Sequence, residues 1–174
     1  EICLLRGMYG PEGSHPRASY WAQTGYLPSA SIKHPAIGSH VSHHIGNLEA
    51  DLPSFVRVGP GRNLTGAGLL GVDHDPFKIA SPNQKPANTE IPTTKPRFTR
   101  RLSLLEQLEL DSTRTGAEHW TKANRKVYGK AARMITSPLM EAFDLQRENV
   151  STREAYGQSD FAAGCLMARR LIES

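Results

Sequence analysis

Cysteine is scarce in this chain. Cys3 and Cys165 are its only two, with no zinc-ligand spacing and no CxxC, which excludes a CxxC redox motif and a cysteine-based zinc site. Cys3 lies in an apolar run and Cys165 on an apolar helical face, so both read as small core residues. Aromatics are few, at 7%, and do not interleave with a basic stripe, which excludes a stacking platform for nucleic acid. Neither a GxGxxG nor a Walker pattern occurs, so the glycine-rich stretch 59–71 is no phosphate loop. No apolar run is long enough to span a membrane. A signal-peptide pattern is also absent, but the chain starts in mid-pattern, so that absence carries no information on location.

What remains is long enough, at 174 residues, for one domain with a real core. The apolar fraction is 38%, and 15 glycines and 12 prolines make much of the chain loop. That composition fits a fragment, or a domain with long excursions, better than a tight bundle. The net charge of +4 is spread out, apart from Lys95, Arg97, Arg100 and Arg101 and the Arg169-Arg170 pair, and reads as a solvated surface.

The last nineteen residues organise the rest. Phe161, Cys165, Ala168 and Ile172 recur at helical spacing, Gly164 and Leu171 widen that face, and Ser159 or Asp160 caps it. A face so wide calls for a sheet as its partner. A βα unit would then continue into another strand. The chain stops at Ser174 with the pattern still helical, so the expectation is a piece of a longer protein.

Upstream, Ile2–Leu5 reads as a short buried strand. Ser14 caps a helix that Gly25 ends, and Pro35 opens a second helix with Ile37, Val41 and Ile45 on one face and Gly46 as its stop. Leu52–Val58 reads as a strand. Residues 59–97 form a long excursion, with five prolines from Pro76 to Pro96 inclusive and a short strand at Phe77–Ile79. The second half is helical. Leu102, Leu105 and Leu108 mark one helix. A capping box at Thr115–Glu118 precedes another, striped by Trp120, Ala123, Val127, Ala131 and Met134. Ser137-Pro138 opens a short helix, and Ser151–Glu154 is a second capping box.

Three constellations bear on chemistry. His40 and His44 share a helix face at the i, i+4 spacing of zinc ligands, with His43 beside them. Val41 stands where HExxH needs its glutamate, so the catalytic base is absent and a solvated or partly packed histidine face is the expectation. Asp73-His74-Asp75 is a compact ligand set in a loop, where aspartate more often bonds its own backbone. Ser14-His15 sits at a helix start, where first-turn N–H groups and the positive dipole end favour an anion. No Ser/His/Asp triad or carboxylate pair emerges from the spacing.

Taken together, these residues resemble the domain of unknown function 1501 family, which is placed in the alkaline-phosphatase-like, sulfatase-like superfamily. The likeness covers nearly the whole chain. It rests on Leu5-Arg6-Gly7-Met8, on His15 with Ala18 and Thr24-Gly25, on Pro35–Ser39, on Leu52–Val56, and on Leu70-Gly71 ahead of Asp75-Pro76-Phe77. It continues with Ala142–Leu145, Arg153–Gly157 and Cys165–Glu173. Gly7 replaces the family's usual serine, and His74 an aromatic.

The resemblance implies an α/β fold: a single partial domain over residues 1–174, with a partial alkaline-phosphatase-like fold and a mostly parallel sheet between helices. By superfamily analogy it implies a metal-dependent hydrolase of phosphate or sulfate esters, with an anionic small-molecule ester as partner and no nucleic acid. A divalent metal is expected in the full-length parent and no cofactor or metal ligand in this piece, which alone should be inactive. The alternative is a non-catalytic scaffold or binding protein at the cell surface. Exported family members imply an exported or periplasmic location. Sulfatase-like enzymes place their nucleophile at the start of a helix ending in Thr-Gly, nine residues before the threonine; counting back from Thr24 gives His15. Ser14 and His15 are therefore the expected catalytic residues, His15 as a metal ligand, a hydrogen-bond donor or a nucleophile. Pro16 and Arg17 lie out of register with the Cys/Ser-x-Pro-Ser-Arg signature, which argues against a formylglycine-type nucleophile.

Overall fold

The computed structural model describes residues 3–4, 6–61, 65–91, 93–113 and 118–174, with side chains over the same ranges except 109–126. The architecture is mixed α/β. In chain order it runs α1 (His15–Thr24), α2 (Ile37–Ile45), β1 (Val56–Val58), β2 (Phe77–Ile79), α3 (Lys95–Thr113), α4 (Glu118–Thr136), α5 (Val150–Tyr156) and α6 (Asp160–Glu173). Short 3-10 turns lie at Gly68–Leu70, Val72–His74, Pro138–Phe143 and Leu145–Arg147. The expected strand at Ile2–Leu5 and the capping box at Thr115–Glu118 fall largely outside the described residues, as do the side chains of Trp120 and Ala123.

β1 and β2 pair in parallel, with Val56 opposite Phe77, Arg57 opposite Lys78 and Val58 opposite Ile79. Strand alternation sends Val56, Val58, Phe77 and Ile79 to one face and Arg57 and Lys78 to the other. The apolar face packs on Phe143, Leu145, Leu166 and Met167, which together with Ile79 form the buried core. β1 is shorter than the sequence predicts: it takes only the end of Leu52–Val58, while Leu52 packs on the core from outside the strand. The 59–97 excursion is not all loop either, because β2 lies within it and α3 begins at Lys95.

α6 does meet the sheet, but not with the face that its hydrophobic spacing suggests. Phe161 and Ile172 are 83% and 86% exposed, and Cys165 and Ala168 are exposed too. The buried side is Ala162, Leu166 and Met167, flanked by Ala163 and Leu171. A Cβ added at Gly164 would stand 3.5 Å from Val58, so this helix rides close over β1. The physical reason is the width of the partner. Two three-residue strands cover only one stripe of the helix, and the longer Leu166 and Met167 fill it better than Cys165. Cys3 is likewise exposed, so neither cysteine is a core residue.

Ser159 caps α6, its Oγ accepting the Ala162 N–H at 3.1 Å. The other end is latched by Arg170, which donates to Glu148 Oε2 and to the carbonyls of Ala142 and Glu141, each at 3.1 Å. The Arg170 guanidinium holds the Glu148 carboxyl below the usual carboxylate range. Ser137 caps the next element as expected, accepting from the Leu139 N–H, but that element is a 3-10 turn. α5 begins two residues earlier than the Ser151 capping box implies, with Asn149 at the N-cap position and Ser151 inside the helix.

α2 inverts its own hydrophobic pattern. Ile37, Val41 and Ile45 are exposed, at 75%, 48% and 81%, while Ser39 and Ser42 are buried. The small side faces inward because the backbone comes too close for anything larger. A Cβ on Gly38 would lie 2.4 Å from the Phe55 ring, and one on Gly46 would lie 2.3 Å from the Ser42 carbonyl oxygen. On the α3–α4 pair, Leu102 and Leu105 are half-buried, whereas Leu108 and Val127 face solvent and Met134 is buried.

Two stability predictions follow from these faces. Met167→Ala in the full protein should lose about 2–5 kcal/mol in a denaturant melt, while Cys165→Asp should stay within about 0.5 kcal/mol of the parent. A melt in which Cys165→Asp is the more damaging would reverse the assignment of the α6 faces. Gly38→Ala should be destabilising by about 1–3 kcal/mol through overpacking on Phe55, despite alanine's better helix propensity. An unchanged midpoint would show that Phe55 moves aside freely.

Candidate functional site

Ser14 and His15 stand together at the start of α1. Ser14 is extended, with φ −83° and ψ 120°, and occupies the N-cap position. Pro16 fits the first turn, where its missing N–H has no intrahelical partner to lose. Gly25 closes the helix in the left-handed region at φ 78°, donating its N–H to the Trp21 carbonyl. Ser14 and His15 are both exposed, and the Ser14 hydroxyl makes no cap bond.

Another side chain serves this helix end. Glu12 Oε1 accepts the Ser14 N–H at 3.0 Å, and its second oxygen pairs with Arg17 in the first turn. The Arg17 hydrogen bond, followed by the Ser14 N–H, holds the Glu12 carboxyl below its ordinary range. The sequence predicts an anion at this dipole end; the chain's own carboxylate is already there. An external anion at Ser14 and His15 therefore competes with Glu12.

The rest of α1 is anchored by polar contacts. Tyr20 Oη accepts the His34 N–H at 2.7 Å, and Gln23 Oε1 accepts from the Thr65 N–H and hydroxyl at 3.2 and 3.1 Å. Tyr26 stacks on His34 with centroids 4.1 Å apart. Gly10 lies against Trp21, where a Cβ would come within 2.7 Å of the ring, so the loop before Ser14 is folded onto the helix that carries His15.

The other two histidine constellations meet each other. His43 on α2 lies 4.9 Å from both His44 and His74, centroid to centroid. His40 and His44 stack with nearly parallel rings at 6.3 Å. His40, His43 and His44 are exposed, as a solvated face requires, while His74 is buried with Nδ1 3.1 Å from the Ser42 hydroxyl. Asp75 Oδ1 accepts the Ala67 N–H at 2.6 Å, so this aspartate does turn chemistry, across the loop rather than on its own backbone. No hydrogen bond or ring contact joins Ser14 or His15 to this cluster among the described residues.

Arg57 is a functional candidate that the sequence reading passed over. It lies on the face of β1 opposite the core, and its Nε and Nη1 are shielded from solvent with no hydrogen-bond partner among the described residues. The signal for it was present in Val56-Arg57-Val58, a cation alternating with core valines. Grooves of about 260–370 Å³ occur beside α5 and α6, beside the Pro138–Phe143 turn, between α3 and α4, and between Asp73 and Lys130. Ser14 and His15 line none of these. Among the described residues no group of three or more His, Cys, Asp or Glu side chains could hold a metal ion, and no helix is long and apolar enough to cross a membrane.

Two parallel strands backed by helices define a mixed α/β protein. The chain belongs to the family described as protein of unknown function DUF1501, which it matches over residues 1–174. Neither a curated protein nor a solved structure matches it.

The Glu12 contacts set a pH dependence. A depressed carboxyl stabilises the folded state above the ordinary carboxylate range, and that contribution is lost as pH falls through the lowered value. The Glu12 side-chain carboxyl followed by NMR should titrate below an ordinary glutamate, and Glu12→Gln should remove this part of the acid sensitivity of α1. An ordinary titration would mean that the Arg17 and Ser14 contacts do not persist in solution.

Proposed function

We propose that this chain forms part of a hydrolase-like domain of alkaline-phosphatase-like fold, in an exported or periplasmic protein that cleaves a phosphate or sulfate ester. Ser14 and His15 would meet the ester. The observation that carries the reading is their joint exposure at the start of a ten-residue helix, with the Ser14 hydroxyl free of any cap bond. First-turn N–H groups have no intrahelical acceptor and the dipole is positive there, so charge growing on a phosphoryl or sulfuryl oxygen is stabilised. His15 would donate a hydrogen bond to that oxygen, or its ring nitrogen would attack the central phosphorus or sulfur as the bond to the ester oxygen breaks, the alcohol leaving with a proton from solvent and water then cleaving the N–P or N–S bond. Glu12 must yield its place at the Ser14 N–H as the ester arrives.

The residues described here do not fit the divalent metal that such hydrolases use. Asp75 Oδ1 is bonded to Ala67, His74 Nδ1 faces Ser42, and among the described residues no group of three or more His, Cys, Asp or Glu side chains could hold such an ion. No step in this proposal runs through a metal on this chain.

The test is His15→Ala in the full-length protein, assayed with aryl phosphate and aryl sulfate esters. The variant should lose about 100-fold or more in kcat/KM against whichever ester the parent turns over. A folded variant with its full rate removes His15 from catalysis. The second reading, a non-catalytic scaffold or binding protein at the cell surface, draws on the outward-facing Ile37, Val41 and Ile45 of α2 and Phe161 and Ile172 of α6. A folded parent that turns over neither ester favours it.

A further inference from the structure

We propose that His40 and His44 form a two-imidazole chelate on the outer face of α2 for a borderline divalent cation of the Cu(II), Ni(II) or Zn(II) class. This site is separate from Ser14 and His15 and does not rest on the hydrolase reading.

The helix supplies the preorganisation. α2 runs from Ile37 to Ile45, and residues four apart on a helix lie one above the other on one face. The two rings show that alignment directly: they are within 6° of parallel, with centroids 6.3 Å apart. Metal–imidazole bonds of about 2.0–2.1 Å at angles of about 90–110° would bring two ring centroids to roughly 4.5–5.2 Å. Closing the remaining gap of about 1–2 Å takes only side-chain rotation of two solvent-exposed rings, with no change in the helix.

The inner side of α2 keeps its backbone in place during that closure. Gly38 abuts the Phe55 ring, Ser42 meets His74, and the Gly46 N–H closes on the Ser42 carbonyl. His43 lies 4.9 Å from both His44, which it meets edge-on, and His74, and the second contact draws it into the packing between α2 and the Val72–His74 turn. The chelate therefore has two protein donors and leaves its other positions to water or to an outside ligand. Imidazole nitrogen selects against Mg(II) and Ca(II), which take oxygen ligands, and Cu(II) binds most tightly of the first-row divalent ions.

The experiment is titration of Cu(II), and separately Zn(II), into the full chain and its variants, read by calorimetry and, for copper, by the nitrogen hyperfine pattern in electron paramagnetic resonance. Relative to the parent, His40→Gln and His44→Gln should each remove one equivalent of binding or weaken it at least tenfold, because a single imidazole loses the effective concentration of its neighbour. His43→Gln should leave that equivalent within about twofold. The copper spectrum of the parent should carry two nitrogens from this site, and that component should vanish in either variant. Both positions are exposed, so the substitutions should leave the circular dichroism spectrum unchanged. Equal binding by the parent and His40→Gln, or loss in His43→Gln with retention in His44→Gln, would overturn the proposal.

Discussion

The structure depends on one contact surface: the apolar side of a two-stranded parallel sheet against the Leu166–Met167 side of α6. Val56, Val58, Phe77 and Ile79 supply one half, and Phe143 and Leu145 close the edge. Each fully buried side chain of this size contributes about 1.5–3 kcal/mol. The Arg170 latch and the Ser159 cap hold the two ends of α6 over that surface. Where the sheet stops, the helix face beyond it stays in solvent, which is why Phe161 and Ile172 are bare.

Local signals in the sequence were legible to the extent that they depend on the backbone alone. Gly25, Gly46, Ser137 and Ser159 end or begin elements where their chemistry says they should. Phe77–Ile79 was readable as a strand inside a proline-rich stretch. Which face of a helix is buried was not legible, because that depends on the width and closeness of the partner. Periodicity marks Ile37, Val41 and Ile45 as a core stripe, yet the approach of α2 to Phe55 admits only Gly38, Ser39 and Ser42. The same inversion exposes Cys165 while Met167 is covered.

The candidate site was legible in position and less so in its surroundings. A helix start at Ser14 and His15 follows from capping rules, and the family's pattern drew attention to it. That Glu12 would occupy the Ser14 N–H could not be read from spacing, since it requires the loop before the helix to fold back, as Gly10 does on Trp21. The meeting of His43 with His74 was equally hidden, because their residues are brought together by packing between α2 and a turn well downstream. Arg57 was visible as a charge in a strand, but its shielding depends on the sheet around it.

The placement of the core also sets the order in which it can be completed. β1 and β2 are near neighbours in the chain, but α6 joins them only after the α3–α4 pair has been made, roughly a hundred residues after Val58. Contacts between such distant segments form late and slowly compared with local helices. A ribosome-bound nascent chain would therefore display Val56, Val58, Phe77 and Ile79 as an uncovered hydrophobic strip until Leu166 and Met167 emerge.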